Sequence, residues 1–166
     1  MDIVITKATP ADIEELTKVE IESKQFSIPD HITEADINHT TRLNRWQAWF
    51  KGQSPKVMAT ERLLLKATVD GKMVGFLAGH LTTLYNMDAQ VYSFYVLKDY
   101  QRQGIGKQLF TKFVEWLNGL QMSTLIAPIK SESDYHNFYL KYRARYLNLE
   151  WIFWTDIETL KYKLEK

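Results

Sequence analysis

Ile3 and Ile5 alternate with polar neighbours, the period-two pattern of a short, half-buried strand. Thr9-Pro10-Ala11-Asp12 then predicts a helix start. Threonine can satisfy orphan amides, proline suits the first helical position, and an acidic residue follows three places after the cap. Ile13, Leu16 and Ile21 carry a moderately amphipathic face onward. Pro29 and His31 fall in a connection, and Thr33 is placed to cap a second helix. That helix is expected from Glu34 to Phe50, because Ile37, Leu43, Trp46, Trp49 and Phe50 share a helical spacing. Gly52 to Pro55 breaks the pattern.

Two strands are predicted next, Arg62 to Thr68 and Met73 to Leu81, joined by Val69-Asp70-Gly71-Lys72. Asp-Gly is a strong hairpin signal because the tight turn needs positive φ. A third strand is expected from about Gln90 to Leu97, rich in β-branched and aromatic residues. Ile105, Leu109, Phe113, Trp116 and Leu117 then mark one face of a helix that Gly119 ends. Thr124 to Ile129 reads as a short buried strand and Ser131 to Tyr142 as a helix. Leu147 to Trp154 and Thr159 to Leu164 are expected to form a closing hairpin. Strands and helices in this mixed order predict an α/β or α+β sheet with helices on both faces.

The chain's 166 residues suit a single domain spanning 1–166, and its 45% hydrophobic content can fill a core. There is no cysteine, which excludes disulfides, thiolate metal ligands and cysteine nucleophiles together. Twenty-one basic residues nearly balance 20 acidic ones, so net charge gives no reason to expect a nucleic-acid or membrane partner. No leader pattern and no apolar run of roughly 20 residues is visible, and a cytoplasmic protein is expected.

The chemically informative stretch is Val96-Leu97-Lys98-Asp99-Tyr100-Gln101-Arg102-Gln103-Gly104-Ile105-Gly106-Lys107. It sets two glycines at a strand-to-helix junction, where backbone can approach a ligand and free amides can bind an anion such as a diphosphate. Arg102 and Lys107 add positive charge. A Walker loop would need glycine at 101 and Ser or Thr at 108, both of which are glutamine here. A dinucleotide fingerprint would need its third glycine at Leu109. Neither fits.

The remaining pattern, Q-x-x-G-x-G after a strand and before an amphipathic helix, resembles the pyrophosphate loop of the GCN5-related N-acetyltransferase (GNAT) family. The predicted order of elements, and Met73-Val74-Gly75-Phe76-Leu77-Ala78-Gly79 after its short turn, extend the resemblance along the chain. It implies a mixed, mostly antiparallel sheet of about six to seven strands flanked by helices and splayed between the fourth and fifth strands. It also implies acetyl-CoA as cosubstrate, with Phe94, Tyr95 and Val96 lining the pantetheine and thioester. Gln101, Arg102, Gln103, Gly104, Ile105, Gly106 and Lys107 would hold the diphosphate.

Asp134-Tyr135-His136-Asn137-Phe138-Tyr139-Leu140-Lys141-Tyr142 resembles the helix that carries the family's Phe-Tyr pair. The resemblance makes Tyr139 the expected general acid, giving a proton to the departing thiolate of coenzyme A. Two departures stand out: Arg143-Ala144 replaces the usual Gly-Phe, and Glu132 replaces an asparagine. The family's fifth-strand glutamate is Ala127 here, leaving His80, Asp88 and Glu132 as candidate bases, or deprotonation through water. His31, His39, His80 and His136 lack the spacing of a metal site, so no metal is expected.

The acceptor, a small-molecule or peptide amine, stays open at this stage, as does a homodimer through the aromatic closing hairpin. One alternative is a non-catalytic acyl-CoA-binding sensor or regulatory domain of the same fold. Another is an interaction module using Trp151 to Trp154.

Overall fold

A computed structural model describes residues 1–55, 61–129 and 135–166. The chain begins with strand β1 (Ile3–Lys7), then helices α1 (Ile13–Ser27), α2 (Glu34–Ile37) and α3 (His39–Phe50). Strands β2 (Arg62–Val69), β3 (Lys72–Leu81) and β4 (Ala89–Val96) follow, and β4 leads into helix α4 (Ile105–Gly119). Strand β5 (Leu125–Pro128), helix α5 (Tyr135–Lys141), strands β6 (Arg145–Tyr146) and β7 (Trp151–Trp154), and helix α6 (Ile157–Glu165) complete it.

The seven strands form one sheet in the order β1-β2-β3-β4-β5-β7-β6. All neighbours are antiparallel except β4 and β5, which run parallel. Asp70 and Gly71 turn β2 into β3 with φ of 51° and 78°, the left-handed pair that matches a two-residue hairpin to strand twist. Strand β3 is buried from Met73 to His80, as a central strand covered on both faces must be. Helices α4 and α6 cover one face, where Phe110, Phe113 and Leu117 are fully buried. Helices α1 and α3 cover the other, and Trp46 of α3 meets Phe76 of β3 edge-on at 5.3 Å. No described helix is long and apolar enough to cross a membrane.

Two features of β4 shape the site. The register against β3 slips so that Ser93 faces Ala78 and Val91 faces Gly79, leaving Tyr92 as the extra residue of a bulge. On its other side β4 pairs with β5 only through Ala89↔Leu125 and Gln90↔Ile126. Ala127 and Pro128 pair with β7 instead, so from Val91 onward the two strands have parted. This is the expected splay between the fourth and fifth strands.

Two element assignments are corrected. Glu34 to Phe50 is two helices, because Asn38 is extended (φ −73°, ψ 114°) and its side chain caps α3 by accepting from the Thr41 amide at 2.9 Å. Thr159 to Leu164 is helical, not a strand. Asp156 caps α6 by accepting from the Thr159 amide at 2.9 Å, and Ile157, Leu160 and Leu164 bury one helical face. The closing hairpin is therefore β6 with β7.

Candidate active site

The parted strands open toward the N-terminus of α4. Gly104 is the N-cap residue at φ 84°, a left-handed conformation costing a side-chain-bearing residue roughly 1–2 kcal/mol, and no side chain caps the helix. The first-turn amides of Ile105, Gly106 and Lys107 therefore lack partners within their helix and carry the positive end of its dipole. Gln101 ties this loop to the strand, its Nε2 donating to the Val96 carbonyl at 2.9 Å. Gln103 Nε2 donates to the Asp99 carbonyl at 3.0 Å, tightening the turn from inside.

A cavity of about 800 Å³ lies against this loop. Of the expected cofactor residues, Phe94, Val96, Gln101, Arg102, Gly104, Gly106 and Lys107 line it. The other three do not. Tyr95 packs its ring at 6.0 Å from Phe76 on the α3 face, Gln103 is exposed, and Ile105 is buried in the core. Sequence reasoning missed Phe26 and Ser27 at the end of α1, and Asn137, Phe138, Lys141 and Tyr142 of the α5 region, which close the cavity. Nothing in a single sequence marks the end of α1 as a wall for a loop some 75 residues away, beyond the general stacking of α1 on β4. Arg102, Lys107 and Lys141 line the cavity with no carboxylate among its described lining residues, so these residues favour an anion.

Tyr139 is 3% exposed and is not among the cavity's lining residues. Its ring meets Trp154 edge-on at 5.2 Å and Phe110 at 6.2 Å. Tyr142, one helical turn later, does line the cavity, and burial pushes its phenol above the ordinary tyrosine value. Arg143 has φ 66°, so it keeps the left-handed turn that glycine would adopt more readily at the end of the helix. Glu132 lies outside the described residues, as do Ser131 and Asp134 from the predicted helix start.

The other candidate bases separate clearly. Asp88 is occupied: its Oδ2 accepts from the amides of Ser123 at 2.8 Å and Thr124 at 3.1 Å, pinning the start of β5 to β4. His80 is fully buried, with Nδ1 2.8 Å from the Leu81 carbonyl and Nε2 unpartnered among the described residues. Nδ1 carries the proton in that bond, which leaves Nε2 a free lone pair. Desolvation holds the imidazole below its ordinary value, opposed by the Leu81 bond and assisted by the Arg62 charge. Trp46 and Trp49 are core residues, but both rings reach Tyr92 in the β4 bulge, at 6.2 and 5.2 Å.

The family model described as Acetyltransferase (GNAT) family matches residues 19–143. No curated protein matches the sequence. Among solved structures, the PaiA N-acetyltransferase of Thermoplasma acidophilum in complex with coenzyme A is 18% identical, with a TM-score of 0.71 over 92% of this chain and 98% of that one. An acetyltransferase of Thermus thermophilus is also 18% identical, with a TM-score of 0.73 over 93% and 97%. The ribosomal-protein-S18-alanine N-acetyltransferase of Escherichia coli is 16% identical, with a TM-score of 0.62 over 92% and 91%. At these identities the likeness is one of fold.

Proposed function

The chain belongs to the acetyltransferase (GNAT) family, and from that premise we propose that it transfers an acetyl group from acetyl-CoA to an amine by direct attack in a ternary complex. One observation carries the reading. The cationic cavity lies at the mouth of the splay, between uncapped helix amides and the β4 edge that β5 has left free. Anions bind where amides and cations converge, and an extended chain can add to an unpaired strand edge.

In this reading the amides from Arg102 to Lys107, with the Arg102 and Lys107 side chains, hold the diphosphate. Phe94, Tyr95 and Val96 present the strand edge to the pantetheine through their main chain. A β4 amide near Val96 stabilises the charge that develops on the carbonyl oxygen. Tyr139 gives its proton to the thiolate that leaves, with Tyr142 as the competing donor because it borders the cavity. With no cysteine in the chain, the acetyl group cannot pass through an acyl-cysteine. Transfer would take place in the cytoplasm on a soluble amine.

The test is release of coenzyme A from acetyl-CoA with a panel of amines, read with a thiol reagent. The chain itself contributes no thiol background. Amine-dependent release supports transfer. Tight acetyl-CoA binding without release on any amine would favour the sensor reading instead.

A further inference from the structure

On the α3 face of β4, beside the bulge, two guanidinium groups converge on one small aromatic cluster. Arg45 of α3 donates its Nε to the Tyr92 hydroxyl at 2.9 Å. Arg62, at the start of β2, lies 4.8 Å over the Trp49 ring, which stacks on Tyr92 at 5.2 Å. Among the described residues Arg62 uses one terminal nitrogen, donating to the Trp49 carbonyl at 3.2 Å and the Ser54 carbonyl at 3.0 Å. Neither arginine has a carboxylate partner among the described residues. His80 completes the group, 6.1 Å from the Tyr92 ring and 6.4 Å from Trp49.

We propose that this cluster is the acceptor subsite, and that Arg45 and Arg62 select an amine that also carries a carboxylate. Each half of such a molecule has a counterpart here. A phenol that accepts from a guanidinium must turn its own proton elsewhere, so the remaining N–H groups of both arginines are donors with no acceptor among the described residues. A carboxylate supplies acceptors alone and pairs with guanidinium in two-pronged bonds. The buried, unpartnered Nε2 of His80 lacks a donor instead, and an N–H supplies one. The ring is fully buried in this state, so the amine reaches it only if the half-buried Tyr92 shifts, and the carboxylate is then held by the two arginines alone. A polyamine brings only positive charge to two cations that have no carboxylate partner among the described residues, and is disfavoured. The position also fits: Tyr92 is the bulge residue of β4, where β4 has parted from β5 two residues after its last pair.

The inference rests on the acetyl-transfer reading, and one set of assays separates the two. Acetyl-CoA binding is measured first by calorimetry, on the wild type and on Arg45→Gln and Arg62→Gln, which also reports folding. Coenzyme A release is then followed with glycine, β-alanine and phenylalanine, with the decarboxylated counterparts methylamine, ethylamine and phenethylamine, and with O-phosphoethanolamine and spermidine. The carboxylate-bearing amines should be preferred by about tenfold or more in kcat/KM, as expected for one charge-assisted pair. Arg45→Gln, at an exposed position, should raise their KM by roughly 10- to 100-fold and leave acetyl-CoA affinity unchanged. Equal or better use of spermidine or the decarboxylated amines overturns the inference, as does a KM indifferent to both arginines. Turnover of O-phosphoethanolamine alone overturns the carboxylate and assigns a phosphate. Acetyl-CoA binding with no carboxylate-bearing amine acetylated also overturns it, whereas loss of acetyl-CoA binding by the wild type overturns the acetyl-transfer reading itself.

Discussion

Arg62 and His80 are Cα partners across β2 and β3, and the guanidinium charge adds to burial in holding the imidazole neutral. A histidine whose folded value is depressed binds fewer protons in the folded chain than in the unfolded one, across the window between that value and about 6.5. Stability therefore rises with pH through this window. The His80 contribution is fully present above about pH 6.5 and is lost as pH falls toward the folded value. Asp12 and Asp36 are held below their ordinary value of 3.8 despite the opposing effect of burial. Lys66 acts most strongly on Asp12 and the Thr33 amide on Asp36, and their contributions fade only below about that pH.

Urea midpoints at pH 7.5 and 5.5 should accordingly fall on acidification in the wild type, and fall less in His80→Gln. The comparison uses the pH slope of each protein, so any general destabilisation by glutamine drops out. Equal slopes would mean that His80 gains a proton without cost.

Gly106 is where acetyl-CoA binding is most exposed to a single change. A Cβ there would sit 3.6 Å from Phe94 Cζ, 3.8 Å from Phe138 Cε2 and 4.0 Å from Val96 Cγ2, all ordinary contacts. Alanine therefore fits the protein, while the two methyls of valine extend into the cavity these residues line. Gly106→Ala should keep its coenzyme A affinity to within a few-fold. Gly106→Val should lose tenfold or more while remaining folded, a loss of about 1.4 kcal/mol. Calorimetry with coenzyme A reads both, and undiminished affinity in a folded Gly106→Val protein would remove the diphosphate from this loop.

Tyr139 and Tyr142 are told apart by removing one oxygen from each. Tyr139→Phe keeps the ring packed on Trp154 and should lower kcat by roughly 10²–10⁴-fold if its phenol protonates the thiolate, with coenzyme A affinity little changed. Tyr142→Phe should then cost far less. The reverse ranking would move the role to the tyrosine that borders the cavity, whose raised phenol value keeps it protonated at any working pH.

Much of this arrangement was legible in the sequence because local chemistry decided it. Asp70-Gly71 needs a left-handed turn, and Gly104 and Gly106 sit between a β-rich run and a helix with one apolar face. Thr159 to Leu164 misled because Thr159, Leu160, Tyr162 and Leu164 are spaced much as a strand would space them. The deciding residue was Asp156, outside that run, which caps a helix. The Glu34 to Phe50 pattern hid a break at Asn38 because apolar spacing survives an extended residue that also caps. The cavity wall from α1 and the pairing of Arg45 with Tyr92, 47 positions later, are purely tertiary. The assignment of Tyr139 came from its place beside Phe138, a pattern that does not say which helical face turns to the cavity.

The acceptor's own ionisation gives the last prediction. The attacking nitrogen must be neutral, whereas alkyl amines ionise near pH 10 and arrive protonated. Ala127 offers no carboxylate on β5, and Asp88 spends its carboxylate on two amides. His80, held below its ordinary value, is mostly neutral above pH 6.5 and too weak a base to take a proton from such an amine efficiently. With water as the proton's destination, kcat/KM follows the neutral fraction and rises about tenfold per pH unit until it bends at the amine's own value. A peptide α-amino acceptor, ionising near 8, should bend about two units earlier than an alkyl amine. His80→Gln should leave this slope in place. If His80 instead takes the proton, the protonated amine is productive and the profile is flat from below pH 6.5 to the amine's value. A flat profile in the wild type that regains the slope in His80→Gln would therefore reject the water route and make His80 the base.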